Sequence, residues 1–130
     1  MTQSIIHILG ASGSGTSTLA RTMAEQWGYT WLDTDDFFWQ PTDPPYVQPR
    51  PVEERIERMR AALDAGADCA ISGSLCNWGE GFIPRFTLVV WLQTATPLRL
   101  ARLRAREAAA FGARIAPGGD MHEAHERFVA

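Results

Sequence analysis

Apolar positions along this chain fall into two alternating kinds of run. Ile5 to Leu9 is short and nearly continuous, as expected for a strand buried on both faces of a parallel sheet. From Thr16 to Trp27 the apolar residues Leu19, Met23 and Trp27 recur every four positions, and Gly28 follows. That spacing predicts one helical face, and the glycine its left-handed stop. Tyr29 to Leu32, rich in β-formers, predicts a second strand. Pro51 opens a second helix with Glu53 and Glu54 in its first turn, a buried stripe of Val52, Ile56, Met59 and Leu63, and Gly66 as its stop. Its arginines Arg55, Arg58 and Arg60 read as a solvated face. Cys69 to Ser72 and Thr87 to Leu92 predict the third and fourth strands, and Thr96-Pro97 starts a third long helix as N-cap and first residue. His122 to Ala130 reads as the start of another helix. Strands alternating with helices predict one α/β domain over 1–130 with a parallel sheet.

The connections differ in character. Residues 40–51 hold Pro41, Pro44, Pro45, Pro49 and Pro51, a density that forbids regular structure and predicts a semi-rigid loop, either a cover over a site or a plain connector. Gly73 to Gly79 is a small, polar turn at a strand's C-terminal end, a place for ligand contact. The stretch Gly112 to Gly119 is bracketed by glycines and suits a mobile lid, within a segment of about 99–121.

Composition narrows the class. A chain of 130 residues, 45% hydrophobic and without a stretch of membrane-spanning length, reads as a soluble domain with a real core. No basic leader with a cleavage site is visible at the N-terminus, so the expected address is cytoplasmic. Cys69 and Cys76 are too few for a disulfide framework. A net charge of −3 argues against a general nucleic-acid binder. All twelve basic residues are arginine.

The chemistry concentrates after the first strand, in Gly10-Ala11-Ser12-Gly13-Ser14-Gly15-Thr16-Ser17-Thr18. Gly10, Gly15 and Ser17 fall where the phosphate-binding loop G-x-x-x-x-G-K-[ST] needs them, and Thr16 stands in the lysine's place. The glycines let the backbone come close to a ligand and turn successive N–H groups toward phosphate oxygens, and the following helix adds its unpaired first-turn donors. Ser17 would place its hydroxyl on magnesium. His7, inside the first strand, reads as a neighbour of the core and is assigned no chemistry.

Two further groups fit such a loop. Asp33 and Asp35 follow the second strand; in an extended chain they would point to the same side at the sheet's C-terminal end. One could hold the magnesium shell and the other receive a substrate hydroxyl's proton. Asp36 reads as a cap of the next helical turn. Arg99, Arg102 and Arg106 lie at i, i+3, i+7 and share a helix face, with Arg104 turned away. A loop without its lysine needs a cation from elsewhere, and an arginine can be worth ~10³–10⁵ in phosphoryl transfer.

Together GASGSGTSTLA, LDTDD, the SGS turn after the third strand and the arginine-rich helix after TLVVWL resemble the P-loop small-molecule and nucleotide kinases. The likeness is to the adenylate-kinase-like and DNA-topology-modulation-like groups, in which FFW and PGGDMHE also have counterparts, and the acid string is similar to that of shikimate kinases. The resemblance implies a P-loop NTPase-type three-layer α/β/α fold, with Gly10 to Thr18 on the phosphates of ATP, Ser17 and Asp33 on Mg2+, and Asp33, Asp35, Arg102 and Arg106 in catalysis. Kinases of this kind carry a fifth strand after the lid and a loop near it that grips adenine, so the resemblance also implies a chain truncated before that strand.

The leading functional reading is an ATP-dependent kinase acting on a small hydroxylated metabolite or a nucleotide. A nucleotide-binding module without turnover and a Rossmann-type dinucleotide oxidoreductase are the alternatives. The latter fits a strand, glycine-rich turn, helix and later acid, but Thr18 stands where its last glycine or alanine belongs. Either a monomer or a homodimer is compatible, since an unfinished sheet edge would invite pairing.

Overall fold

The protein is described by a computed structural model covering residues 2–11, 13–114 and 119–129. Its chain forms two compact units, Met1–Gly10 with Gly15–Leu92, and Ala11–Ser14 with Gln93–Ala130.

The first unit is built on four parallel strands: β1 (Ile5–Gly10), β2 (Thr30–Asp33), β3 (Cys69–Ser72) and β4 (Leu88–Leu92), in the spatial order β2-β3-β1-β4. Helices α1 (Thr16–Trp27), α2 (Thr34–Phe38) and α3 (Val52–Asp64) belong to it. Because side chains alternate along a strand, the sheet carries two cores. Ile5, Leu32, Cys69 and Ile71 meet Met59 and Leu63 of α3 on one face. Ile8 and Ala70 meet Ala20 and Met23 of α1 on the other. The result is a three-layer α/β/α arrangement. Ile8, Met59, Leu63 and Ile71 are fully buried, each contributing about 1.5–3 kcal/mol relative to exposure.

Three details differ from the periodicity. Trp27 is 68% exposed, and the buried face of α1 is Ala20 with Met23. Eight residues advance a helix by roughly 80° beyond two turns, which rotates Trp27 off the face that Leu19 begins. The turn after β3 is more than a polar ligand loop. Leu75, Trp78 and Phe82, the last within a 3₁₀ segment at Glu80–Arg85, are buried in the α3-side core. Arg55 does not join a solvated face: its guanidinium lies 3.9 Å from the centroid of the Phe38 ring and its Nε donates to the Arg50 carbonyl. Arg58 and Arg60 do pair at the surface, with Glu54 and Glu57.

Residues 40–50 are irregular apart from one antiparallel bridge between Trp39 and Pro49. Gln40 N–H to the Gln48 carbonyl (2.8 Å) and Arg50 N–H to the Phe38 carbonyl (2.7 Å) close this loop at its base. At the sheet edge, β4 leaves Leu88, Val89 and Trp91 exposed.

The second unit holds α4 (Thr96–Phe111), a 3₁₀ turn at Gly112–Arg114 and α5 (His122–Val129), which packs on α4. Among its described residues, Leu103 and Met121 are the buried apolar side chains. The first backbone bond of α4 runs from Arg99 N–H to the Ala95 carbonyl, so Ala95, not Thr96, is the N-cap. The Thr96 hydroxyl instead accepts a bond from Arg99 Nη2 at 3.1 Å. Of the expected lid, residues 115–118 lie outside the described residues; beside them, Arg114 holds Asp120 through two bonds of 3.0 and 2.9 Å. That guanidinium keeps the Asp120 carboxyl below the usual carboxylate range.

Candidate active site

Parallel pairing brings the C-terminal ends of all four strands to one edge of the sheet, the edge at which ligands of open α/β sheets bind. The chain leaves β1 at Gly10 and enters α1 from Gly15, whose φ of 101° is left-handed and natural only to glycine. Gly15 offers no side chain, the first helical bond is Leu19 N–H to its carbonyl at 3.0 Å, and the first turn holds no acid. The N–H groups of Thr16, Ser17 and Thr18 therefore have no intrahelical acceptor, at the positive end of a twelve-residue helix. Thr16 and Ser17 are half-buried and Thr18 is exposed.

The middle of the loop belongs to the second unit. Ser14 N–H bonds the Ala11 carbonyl at 3.0 Å, a tight turn, and Gly13 has φ 82°. A Cβ on Gly13 would lie 2.5 Å from the Arg99 carbonyl oxygen, so the backbone of α4 itself requires glycine there. Ser14 Oγ is buried without a hydrogen-bond partner among the described residues. Arg102 Nη1 stands 3.5 Å from the Gly13 carbonyl, at the long limit of a hydrogen bond. Arg106 is exposed, and Arg104 turns to Glu126 of α5 at 3.8 Å. Ser12 lies outside the described residues.

The acids after β2 are arranged otherwise than an extended chain would place them. The strand ends at Asp33, and Thr34–Phe38 is already helical, so Asp33 and Asp35 do not alternate onto one side. The Asp33 side chain accepts the Asp35 N–H at 3.0 Å and is the N-cap of α2. Asp36, read as the cap, sits in the first turn with Asp35. Asp33 is half-buried and Asp35 exposed. In register, Asp33 lies opposite Ser72, and Ser72 opposite Ile8, which sets Asp33 two strands, roughly 10 Å, from β1.

Part of the turn after β3 expected to contact a ligand, Ser74 to Cys76, lines a cleft of about 380 Å³ on the α3-side face of β1 and β4, whose strand side sequence reasoning passed over. Leu9 and Trp91 from the strands and Leu75 and Ile83 from the segment after β3 form its walls, and Gly10, the loop's first residue, lines it too. His7, buried on the same face, sets its Nε2 2.7 Å from the Gly73 carbonyl and stacks at a tilt on Phe86. Burial holds the imidazole below its ordinary pKa. The alternation of β1 was the available signal, since His7 and Leu9 must share a face.

Both cysteines are free thiols; Cys69 is buried, which pushes its pKa up, and Cys76 is exposed. Among the described residues no group of three His, Cys, Asp or Glu could hold a metal, and no helix is long and apolar enough to cross a membrane.

No protein-family profile matches the chain. Among curated proteins it is similar to the uncharacterized protein YqaC of Bacillus subtilis (strain 168), with 36% identity over 124 residues, 95% of this chain and 68% of that protein. Three solved structures share its architecture. A sugar kinase from Janibacter sp. HTCC2649 aligns with TM-score 0.55 and 23% identity, over 81% of this chain and 68% of that one. A gluconokinase from Sinorhizobium meliloti 1021 gives 0.50 and 19%, over 80% and 65%. TT1252 from Thermus thermophilus gives 0.55 and 18%, over 83% and 74%. At such identities the likeness establishes the fold alone, an α/β fold of the P-loop kinase type.

Proposed function

The chain belongs to the family of the Bacillus subtilis protein YqaC, and from that premise and the kinase-type fold we propose an ATP-dependent kinase. It moves the γ-phosphoryl group of ATP to a hydroxyl of a small acceptor: the acceptor oxygen bonds phosphorus, the bond to ADP breaks, and the hydroxyl proton leaves to a base.

The observation that carries this reading is the N-terminus of α1, uncapped, free of acids and entered through a left-handed glycine. First-turn donors without a capping side chain among the described residues can receive an anion, and α1, unlike the equally uncapped α4, is entered through a glycine-rich loop. The orphaned Ser14 Oγ adds an unfilled polar group in the same loop. These residues fit a triphosphate. Magnesium asks for only one or two protein oxygens beside the phosphates, which Ser17 and the Asp33 carboxylate would supply. Bound there, the ion would neutralise charge on the phosphates.

Gly10, Ala11, Ser12, Gly13, Ser14, Gly15, Thr16, Ser17 and Thr18 form the phosphate loop in this proposal. Arg102 supplies a cation that the loop lacks at Thr16, a role that its approach to the Gly13 carbonyl supports; Arg106 lies one turn further along α4. Asp33 caps α2 through a carboxylate oxygen, and Asp35, exposed beside it, is the base assigned to the acceptor's proton.

Thr16 specifically favours a second reading, a nucleotide-binding module without turnover. Coupled-enzyme detection of ADP across a panel of hydroxylated acceptors, run on the wild type and on Thr16→Lys, separates the two. Acceptor-dependent ADP release by the wild type supports the kinase; release only by Thr16→Lys supports the silent module.

A further inference from the structure

The cleft at the end of β1 differs in charge from the loop beside it. Its walls are apolar, its polar side chains are His7, Ser74, Cys76 and Glu80, and among the described residues no arginine lines it; the chain has no lysine to offer. Glu80 is therefore the single charged side chain among the described residues that line it, with one carboxylate oxygen accepting the Asn77 N–H at 2.6 Å. His7 contributes no positive charge near neutral pH, because burial disfavours the imidazolium. With Nε2 donating to the Gly73 carbonyl, the neutral ring keeps Nδ1 as an acceptor.

An anionic occupant would enter such a cleft without a counter-charge and against a carboxylate, at a cost that low local dielectric enlarges. An uncharged polyol meets complementary partners instead. Hydroxyls find the Ser74 hydroxyl and Glu80 as acceptors, and a CH-rich or aromatic face finds Trp91, an exposed residue. The volume of about 380 Å³ suits a small molecule. Gly10, the first residue of the phosphate loop, lines the cleft as well.

We propose that this cleft is a binding pocket for an uncharged hydroxylated molecule with an apolar face, a neutral sugar or an unphosphorylated nucleoside, in preference to a sugar acid or nucleoside phosphate. The binding preference stands on the cleft alone and is independent of the kinase reading.

The test uses two matched pairs, glucose with gluconate and adenosine with AMP, titrated into the full chain while tryptophan fluorescence is read, with Trp91→Phe as the control for signal from this cleft. The neutral member of at least one pair is expected to bind at least tenfold tighter, through a signal that Trp91→Phe removes; which pair responds distinguishes sugar from nucleoside. Glu80→Gln is expected to shrink that discrimination by roughly tenfold, and Glu80→Arg to reverse it. Tighter binding of the anionic members, or no Trp91-dependent binding by any of the four, overturns the proposal. Failure of the kinase reading shows separately, as absence of ADP release by a chain that still binds the neutral compound.

Discussion

The two strand-to-helix junctions at the ends of β1 and β2 solve the same problem in opposite ways. At β2 the chain turns directly into α2, and Asp33 fills the helix's first donor with its own carboxylate. At β1 it takes a glycine-rich detour, and α1 begins from Gly15 with nothing in its first turn to satisfy its donors. Lack of a cap is shared with α4, which starts from Ala95; what sets α1 apart is its entry through left-handed glycines of a loop whose N–H groups can face an anion. The difference separates a structural turn from a phosphate site more sharply than the number of polar residues does, since LDTDD and GSGTST are both rich in them.

The strongest way to break the contrast is at Gly13. Gly13→Ala places a methyl against the Arg99 carbonyl at a left-handed φ, and is expected to cost about 2–5 kcal/mol in a denaturant titration, with loss of ATP binding. Unchanged stability would mean that α4 does not press on the loop. The second test works on the other junction. Asp33→Ala removes the cap and is expected to cost about 1 kcal/mol, whereas Asp33→Asn keeps a capping oxygen and is expected to be nearly neutral for stability. If Asp33 also serves magnesium, Asp33→Asn still lowers turnover; equal turnover would leave it a cap and nothing more.

The smallest effect concerns His7. Its folded pKa lies below the ordinary 6.5, so as pH falls through 6.5 the unfolded chain binds the proton first and stability declines. Above that pH both states are neutral and stability is flat with respect to this group. Thermal melts are expected to show a decline below pH 6.5 that His7→Gln reduces, Gln keeping an amide donor for the Gly73 carbonyl. An identical pH slope in the variant would contradict a buried neutral imidazole.

Much of the fold was readable because its signals are local. The apolar runs at Ile5 and Cys69 announced buried strands, and Gly28 and Gly66 marked the ends of helices that the structure closes there with φ of 74° and 91°. Where sequence reading failed, the deciding contact was tertiary or a competing local bond. Leu75, Trp78 and Phe82 span too short a stretch to announce a helix, yet they cap the α3-side core. Asp33 and Asp35 looked like a pair only while the chain was assumed extended; one side-chain bond to Asp35 N–H turns it into a helix. His7 was dismissed as core for the right reason, its strand, but the cleft it lines exists only because β4 places Trp91 on the same face.

The most direct test of the open helix terminus is a calorimetric titration of ATP into the full chain, with and without magnesium, repeated on Ser17→Ala. Saturable binding that magnesium strengthens and that Ser17→Ala weakens by about tenfold or more is the expected result. Absence of binding to the wild type, or binding equal in the presence and absence of magnesium and unaffected by Ser17→Ala, would contradict it.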